Sequence, residues 1–399
     1  MSKELRAQLS FEVRTGSEFA RSPAVDKLRS VLASLLADGF PPGLSLVVVT
    51  PGGTALQACG GYACVVGEPV PATLDTAYDL ASLTKVVGTV TLALIAVERG
   101  SLDLDDPVVR WLPSYPRQDT TLRHLLTHTA GLVDHRPFYI ELTGRDQIEA
   151  AVYEEARAAA PGSRVLYSDL GYMLLGWVLE ACYGLRLDEA FEALVARPLG
   201  LTRAGFRPVD GQSAGRSAGD ANATRWATPA GGHVVTHARV VPPPASLRRV
   251  AATELDGDQR TVPGLIWGEV HDGNAYALGG VSGHAGLFAP VGELARFVHR
   301  VLLPGAVLSP ESVALMSSRQ AGTGDDVRGI GWRLAPAGWG PWPAHTIWHT
   351  GFTGTSLLVA PELGAAVVLL TNSVHPRRRL DDQAAMRAQV HSLLVEALQ

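Results

Sequence analysis

Apolar residues follow two different periods along the chain, and these periods predict where its helices and strands lie. Residues 23–38 carry apolar side chains three and four positions apart, which predicts a helix that ends at Gly39. Residues 44–50 and 54–60 are short apolar runs on either side of a Pro-Gly-Gly turn, which predicts a β-hairpin. Near the C-terminus the pattern predicts four strands and a closing helix, at residues 329–334, 346–350, 355–359, 365–371 and 381–398.

The middle of the chain has the helical period. Residues 81–100 are mostly apolar and end in a glycine, and further helices are predicted over 147–159, 170–184 and 187–196. Residues 207–248 are rich in Gly, Ala, Ser and Thr, so we expect a long, partly mobile excursion there. Strands at both ends with helices between them predict one sheet assembled from the two termini, with a helical insertion.

Composition narrows the classes of protein to which the chain can belong. Of its 399 residues 46% are apolar and 18% are charged, which predicts a folded chain with a large core. The net charge is −5 and no long basic run is present, so no nucleic-acid partner is expected. The three cysteines are predicted to be free thiols, since they fit neither a disulfide framework nor a zinc site. A polar N-terminus and the lack of a long apolar window predict a cytoplasmic location with no membrane span.

The first candidate motif is Ser82-Leu83-Thr84-Lys85, at the start of the helix predicted over 81–100. A serine and a lysine three residues apart share one helix face, where free N–H groups can stabilise an oxyanion. Serine needs a base to become a nucleophile, and burial can lower the pKa of a lysine enough to make it one, whereas arginine stays charged. Taken alone, the short motif also fits a lysine that extends to solvent from a helix start.

The second candidate motif is Tyr167-Ser168-Asp169, directly before the apolar helix predicted over 170–184. Taken alone, the motif describes a core tyrosine beside Asp169 as a helix N-cap.

The third candidate motif is His349-Thr350-Gly351, at the end of a predicted strand and before Phe352. Glycine at this place allows a ligand to approach the backbone closely. Taken alone, the motif is also typical of a hairpin turn.

Together and in this order, the three motifs resemble those of the serine penicillin-recognising family, whose marks are S-x-x-K, Y-x-N and K-T-G. That family includes class C β-lactamases, D,D-peptidases, related esterases and a few transacylases. The resemblance extends over about residues 25–395 and is closest to the branch that contains penicillin-binding protein 4B. The stretches that add to it are residues 104–108, 122–132, 268–272 and 283–288.

The resemblance implies a β-lactamase-like α/β fold, in which helices flank an antiparallel sheet built from both termini and an all-helical subdomain completes the cleft. We expect a single catalytic domain, with its α/β part at about residues 1–100 and 325–399 and its mainly helical part at about residues 101–324.

The resemblance also implies a role for each motif. Ser82 is the acylated nucleophile, Lys85 is its base, and Tyr167 relays a proton to or from the leaving group. The backbone N–H groups of Ser82 and Phe352 form the oxyanion hole. The residues expected to contact substrate are Asp169, His349, Thr350, Gly351 and His271.

Two positions differ from the usual pattern of the family. Asp169 stands in place of asparagine, and a carboxylate near Lys85 would favour the ammonium and weaken it as a base. Either Tyr167 then takes more of the base role, or Asp169 points away as a cap. His349 stands in place of lysine, and a neutral histidine holds a substrate carboxylate poorly.

The sequence therefore predicts a serine acyl-transfer enzyme of the class C β-lactamase type that hydrolyses a soluble ester or amide through acyl-Ser82. Alternatives are an ATP-independent transacylase with an amine or alcohol acceptor, a D,D-carboxypeptidase, and a non-catalytic penicillin-binding sensor. No cofactor is expected. No metal is expected either, because the turn at Ala130-Gly131 prevents His124, His128 and His135 from sharing one helix face. His271 and Asp272 are expected either to orient each other near the site or to belong to a structural loop.

Overall fold

The computed structural model describes residues 9–14, 18–209, 245–261, 264–302 and 307–399, and within these its largest element is an eight-stranded sheet. The strand order is β1-β3-β2-β11-β10-β9-β8, every neighbouring pair is antiparallel, and β4 pairs with β3 at one end. The strands of this sheet are β1 Leu9–Val13, β2 Gly43–Thr50, β3 Gly53–Cys64, β4 Val70–Pro71, β8 Arg333–Leu334, β9 Ile347–Thr350, β10 Ser356–Ala360 and β11 Ala365–Thr371.

The central strands are apolar on both faces because the sheet separates two hydrophobic cores. In β2, Leu46 and Val48 face one core while Val47 and Val49 face the other, as the two-residue period of a strand requires. Helices α2 (Pro23–Ala37) and α12 (Leu380–Leu398) cover the first face, and the mainly helical part of the chain covers the second. A strand buried on both sides reads as a continuous apolar run, which is why these strands could be predicted.

The helices lie mostly between the two groups of strands. The α-helices are α1 Glu18–Arg21, α2 Pro23–Ala37, α3 Thr91–Glu98, α4 Leu122–Leu126, α5 Arg145–Glu154, α6 Asp169–Tyr183, α7 Leu187–Phe191, α8 Arg197–Leu199, α9 Gly273–Ala277, α10 Val291–Phe297, α11 Pro310–Ser317 and α12 Leu380–Leu398. Segments of π-helix cover Lys85–Val90, Glu192–Ala196 and Val298–Leu302. Short 3₁₀ segments cover Val108–Arg110, Phe138–Ile140, Leu247–Arg249 and Pro361–Leu363.

A second sheet of three strands joins the helical part to the chain that carries Ser82. Its strands are β5 Ala77–Asp79, β7 Leu287–Pro290 and β6 Gly205–Phe206, with β7 in the centre. The sequence pattern did not predict this sheet, since its strands have only two to four residues. Because β5 ends three residues before Ser82, the small sheet fixes where the serine lies.

The predicted β-lactamase-like α/β fold is confirmed, with several differences in its elements. The helix predicted over 81–100 begins with a π-helical segment, and the helix predicted over 147–159 already ends at Glu154. Of the strand predicted over 329–334, only Arg333–Leu334 is extended, and β1 was not predicted at all. The predicted excursion over 207–248 lies outside the described residues except for its first and last few positions.

Two predictions made from composition concern the cysteines and the membrane. All three cysteines are free, as predicted, and Cys59 and Cys64 are buried. Among the helices of the described residues, none combines the length and the apolar character needed to cross a membrane.

Candidate active site

Ser82 lies at a sharp turn between strand β5 and the helix that follows. The Asp79 carboxylate, which is itself buried, accepts the Ala81 N–H at 2.8 Å and the His271 N–H at 2.6 Å. Ala81 has a φ of +47°, in the left-handed region that costs free energy for a residue with a side chain. The two hydrogen bonds to Asp79 hold this conformation, so the turn presents Ser82 in a fixed direction.

Lys85 is fully buried, and its Nζ contacts three oxygens of the described residues. It lies 2.9 Å from Ser82 Oγ, 3.1 Å from the His284 carbonyl oxygen and 2.7 Å from Asp169 Oδ1. The first two contacts are hydrogen bonds and the third is an ion pair. A carboxylate at this distance favours the ammonium form of Lys85.

Charge around Lys85 supports the same protonation state. Burial alone would lower the pKa of Lys85, but the Asp169 carboxylate and the Tyr167 hydroxyl hold it above its ordinary value. Burial alone would likewise raise the pKa of Asp169, but the Lys85 charge and a contact with His135 hold it well below its usual range. Lys85 and Asp169 therefore form an ion pair beside the serine.

Tyr167 is held beside Lys85 by stacked rings. The Lys85 Nζ lies 5.0 Å from the centroid of the Tyr167 ring. The ring of the buried His128 stacks against Tyr167 at 4.5 Å between centroids and against Tyr172 at 4.9 Å. The Ser168 N–H donates to His128 Nδ1 at 3.0 Å, which ties the motif to the same histidine.

The N-cap of helix α6 is Ser168 and not Asp169. The Ser168 hydroxyl accepts the Gly171 N–H at 3.1 Å, as an N-cap does. The Asp169 side chain is thereby free to turn toward Lys85. Of the two alternatives for Asp169, the structure shows the carboxylate beside the lysine.

The turn after β9 is attached to the backbone that precedes Ser82. Thr353 Oγ1 donates to the Asp79 carbonyl at 2.7 Å, and Thr355 Oγ1 donates to the Leu80 carbonyl at 3.1 Å. Gly351 lies so close that a Cβ built on it would be 2.4 Å from the Leu80 carbonyl oxygen. Only glycine fits at this position, and the contact brings the Phe352 backbone next to the serine turn.

Two N–H groups at this junction are free to bind a ligand. Among the described residues, neither the Ser82 N–H nor the Phe352 N–H has a hydrogen-bond acceptor. Two free donors on adjacent rigid segments are what an oxyanion hole requires. The structure thus brings together the two groups that the sequence assigned to this role.

His349 is buried and uncharged. Its Nδ1 lies 2.9 Å from the Thr350 carbonyl oxygen, which can only accept, so Nδ1 carries the proton. Burial and then the charges of Lys85 and Arg328 hold the pKa of His349 well below its ordinary value. The position that is cationic in the usual motif is therefore neutral in this chain.

His271 and Asp272 do not orient each other, contrary to one of the two predictions for them. His271 Nε2 lies 3.1 Å from Glu254 Oε2, and its ring stacks on Phe352 at 5.7 Å between centroids. Asp272 Oδ1 instead lies 2.8 Å from His284 Nε2. The side chains of His271 and Glu254 are both buried, and their contact fixes the His271 ring. The fixed ring in turn supports the ring of Phe352.

The three histidines 124, 128 and 135 do not lie together, as expected from the interrupting turn. His124 caps the start of α4, and His128 stacks under Tyr167. His135 instead approaches Asp169 at 3.6 Å. In the described part of the chain, His135, Asp169 and Asp272 have ligand atoms within 4.8 Å of one another, and the Lys85 ammonium already neutralises Asp169 there.

Several residues of the site were missed by the sequence reasoning. Asp79 fixes the serine turn, the His284 carbonyl accepts from Lys85, and the Arg328 guanidinium carbon lies 5.7 Å from the Tyr167 ring centroid. His284 lies inside one of the stretches that added to the family resemblance, and Asp79 lies three residues before the first motif. Arg328 had no local signal, since only the tertiary fold brings it to Tyr167.

Comparison with known proteins gives the same family. A family model described as Beta-lactamase matches residues 28–391. A protein of Escherichia coli K12 named "Putative D-alanyl-D-alanine carboxypeptidase" is 30% identical over 349 residues, which cover 77% of this chain and 71% of that protein.

Solved structures show the same fold. The structure titled "EstCE1, a hydrolase with promiscuous acyltransferase activity" is 23% identical, with a TM-score of 0.69 over 93% of this chain and 98% of that one. Simvastatin synthase (LovD) from Aspergillus terreus is 19% identical, with a TM-score of 0.68 over 94% of this chain and 98% of that one. The chain therefore belongs to the beta-lactamase family.

Proposed function

We propose that this protein hydrolyses a small ester or amide through an acyl-Ser82 intermediate, in the manner of class C β-lactamases. The observation that carries the proposal is the 2.9 Å contact between Lys85 Nζ and Ser82 Oγ. That contact lies beside two free backbone N–H groups, so nucleophile and oxyanion donors occupy one place. The carboxyl-to-ammonium pairing of Asp169 with Lys85 determines which group moves the proton.

Tyr167 is the proton acceptor in this proposal. As an ammonium paired with Asp169, Lys85 has no free electron pair, so it cannot take the serine proton. The reaction proposed here therefore starts from the Tyr167 phenolate. Two cations lie beside its ring, with Lys85 Nζ at 5.0 Å and Arg328 Cζ at 5.7 Å from the centroid.

The reaction then has two steps, acylation of Ser82 and deacylation by water. Ser82 Oγ attacks the acyl carbon as its proton passes to Tyr167, and the carbonyl oxygen becomes an oxyanion bound by the Ser82 and Phe352 N–H groups. When the tetrahedral adduct breaks down, Tyr167 returns the proton to the leaving alcohol or amine. Water attacks acyl-Ser82 in the second step, with the same proton path, and releases the acid. Loss of one oxyanion donor typically lowers the rate by roughly 10²–10³-fold.

The neutral His349 favours a substrate without a carboxylate at this place. A carboxylate needs a cationic or multiply donating partner, and the one proton on His349 Nδ1 is already donated to Thr350. The Escherichia coli relative is named for cleavage of D-alanyl-D-alanine, a peptide that ends in a free carboxylate. The neutral His349 therefore supports an uncharged ester or amide as the substrate of this chain.

Mass spectrometry of the intact protein tests the acyl-enzyme directly. With p-nitrophenyl acetate in excess, we expect one added acetyl group, located on Ser82 after proteolysis, and product exceeding enzyme many-fold. The same measurement on a penicillin shows whether β-lactams acylate the serine. A stable stoichiometric adduct without turnover of any ester would overturn the enzyme proposal in favour of a sensor.

A transacylase is the second candidate, because acyl-Ser82 can pass its acyl group to an amine or alcohol in place of water. EstCE1, which shares the fold, is titled as a hydrolase that also transfers acyl groups. Such transfer needs no ATP, since the donor ester supplies the free energy, but it needs water to be held off the acyl-enzyme.

Partitioning of the acyl group separates the two candidates. With a methyl or p-nitrophenyl ester as donor and increasing amine, hydrolysis predicts that acid remains the main product at millimolar amine. Amide that rises with amine concentration while total ester consumption stays constant would instead establish transfer. Ser82→Ala, assayed in parallel, measures the uncatalysed aminolysis that must be subtracted.

Asp169→Asn is expected to move the rising limb of the pH profile of kcat/KM to lower pH. Removal of the carboxylate takes away the charge that raises the pKa of Lys85, and burial then lowers it. In the variant the neutral Lys85 amine then becomes available at lower pH as a second base beside Tyr167. A profile that stays in place would contradict the role given to this ion pair; Asp134→Asn, at a nearby loop position, is the matched control.

The same pair makes a pH-dependent contribution to stability. Asp169 has a lowered pKa, so its contribution is present above the unfolded value of about 4 and is lost as the pH falls further. Lys85 has a raised pKa, so its contribution is present below about 10.4 and is lost at higher pH. In the Asp169→Asn variant, the free energy of unfolding should fall less steeply at acid pH than it does in the wild type.

A further inference from the structure

Two polar side chains of helix α12 reach through the core to the turn after β9, and the reaction above gives them no role. Gln383 and Arg387 lie four residues apart on one helix face, and only 5% and 8% of their surfaces are exposed. Buried polar groups cost free energy unless they are hydrogen-bonded. The partners of this pair therefore indicate what it does.

Arg387 donates to the turn directly. Its Nη2 lies 2.5 Å from the Gly351 carbonyl oxygen and 3.0 Å from the Thr355 carbonyl oxygen. Its Nη1 donates to Gln383 Oε1 at 3.0 Å, and Gln383 Nε2 donates to the Phe352 carbonyl oxygen at 2.9 Å. The helix thus donates hydrogen bonds to three carbonyl oxygens of the turn, those of Gly351, Phe352 and Thr355.

Arg387 is a buried cation without an acidic partner. In the described part of the chain, no carboxylate lies within ion-pair distance of its guanidinium. Burial lowers the pKa of Arg387 to about 10, so the group stays charged at neutral pH. An unpaired buried charge is expensive, and carbonyl dipoles are its compensation here.

The turn is held from the opposite side as well. Thr353 and Thr355 donate to the carbonyl oxygens of Asp79 and Leu80, directly before Ser82. Ser373 adds a hydrogen bond to the Thr353 carbonyl at 3.1 Å. The turn is therefore clamped between α12 and the serine segment.

One peptide unit connects this clamp to the chemistry. The Gly351 carbonyl and the Phe352 N–H belong to the same planar peptide group and point in opposite directions. A charged donor on the carbonyl fixes the direction of the N–H, and it also polarises the N–H toward stronger donation. The Phe352 N–H is one of the two free donors beside Ser82.

We propose that Arg387, supported by Gln383, is a positioning residue that fixes and polarises the Gly351–Phe352 peptide as an oxyanion donor. The inference rests on the proposed acylation of Ser82. It extends the site to the last helix of the chain, which touches neither the serine nor the substrate.

Arg387→Met tests the proposal, because it keeps the length and packing of the side chain and removes its donors. We expect the single-turnover rate of Ser82 acylation to fall about 10- to 100-fold, since a misplaced donor loses transition-state stabilisation. KM for a small ester should change little where chemistry is slow relative to substrate dissociation. Gln383→Leu should likewise lower the acylation rate without changing KM, but by a smaller factor. It replaces Arg387→Met in the test if that variant does not fold.

The infrared carbonyl band of acyl-Ser82 gives a readout that a general loss of stability would not move. Weaker oxyanion hydrogen bonds shift this band to higher wavenumber, and we expect that shift in Arg387→Met. His391→Leu is the matched control: His391 is buried on the same helix but bonds Ser356 Oγ at 2.9 Å and not the turn. It should lower thermal stability and leave the band in place.

The outcomes separate this inference from the proposed function. Wild-type acylation rate and band position in folded Arg387→Met and Gln383→Leu would overturn the clamp and leave Ser82 chemistry intact. A loss of rate equal to that of His391→Leu, with an unmoved band, would also overturn it. Failure of the wild-type protein to acylate at Ser82 would overturn the proposed function itself.

Discussion

Ser82→Ala is expected to lower ester turnover by a factor on the order of 10⁴ or more, because the atom that accepts the acyl group is removed. The fold should remain, since in the described part of the chain the hydroxyl makes one hydrogen bond, which it accepts from Lys85 at 2.9 Å. Lys85→Ala should lose nearly as much activity. The double variant should be no worse than Ser82→Ala, because two residues that act as a unit do not have additive effects.

Steady-state ester hydrolysis and circular dichroism together check this prediction. Lys27→Ala is the matched lysine control, since Lys27 lies on the exposed face of α2 far from the cleft, and it should keep wild-type turnover. Lys85→Ala leaves the Asp169 carboxylate without its cation, which typically costs about 3–5 kcal/mol of stability, so its melting temperature must be recorded. More than a few per cent of activity in Ser82→Ala would refute the nucleophile.

Tyr167→Phe is expected to lower kcat/KM by roughly 10²–10⁴-fold, the usual effect of losing the group that moves the proton. The ring that stacks on His128 is kept, so the stability of the fold should change little. Stopped-flow hydrolysis of an activated ester measures the loss of rate, and thermal unfolding followed by circular dichroism measures the stability.

Tyr172→Phe is a close control for this variant. Tyr172 also stacks on His128, but its hydroxyl donates to the Leu126 carbonyl at 3.2 Å. Its loss should cost about 1 kcal/mol of stability and leave turnover unchanged. Near-normal activity in Tyr167→Phe would return the base role to Lys85.

Much of the fold was predictable because burial leaves a local pattern in the sequence. Strands β2 and β11 are mostly apolar and buried at nearly every position since both of their faces are covered, and α2 and α12 show one apolar stripe. Edge strands leave a weaker signal. β1 alternates between half-buried and exposed residues over Leu9–Val13, and five residues beside charged segments do not distinguish a strand from a loop.

In the candidate site, too, contacts between residues close in the sequence could be predicted, and contacts between distant residues could not. Ser82 and Lys85 are three residues apart, so helix geometry alone places them together. The direction of Asp169 was open from the sequence, because the choice between cap and ion pair depends on Lys85, which is far away along the chain. Pairing of His271 with Glu254 could not be predicted for the same reason.

The clamp on the turn after β9 has a consequence for the order in which the protein becomes active during synthesis. Ser82 leaves the ribosome roughly 300 residues before Gln383 and Arg387 do. At about 5–20 residues per second this interval lasts some 15–60 s, during which the serine exists without its second oxyanion donor. In the mechanism proposed above, a nascent chain therefore reacts poorly with ambient esters, and catalytic turnover begins only after helix α12 has docked.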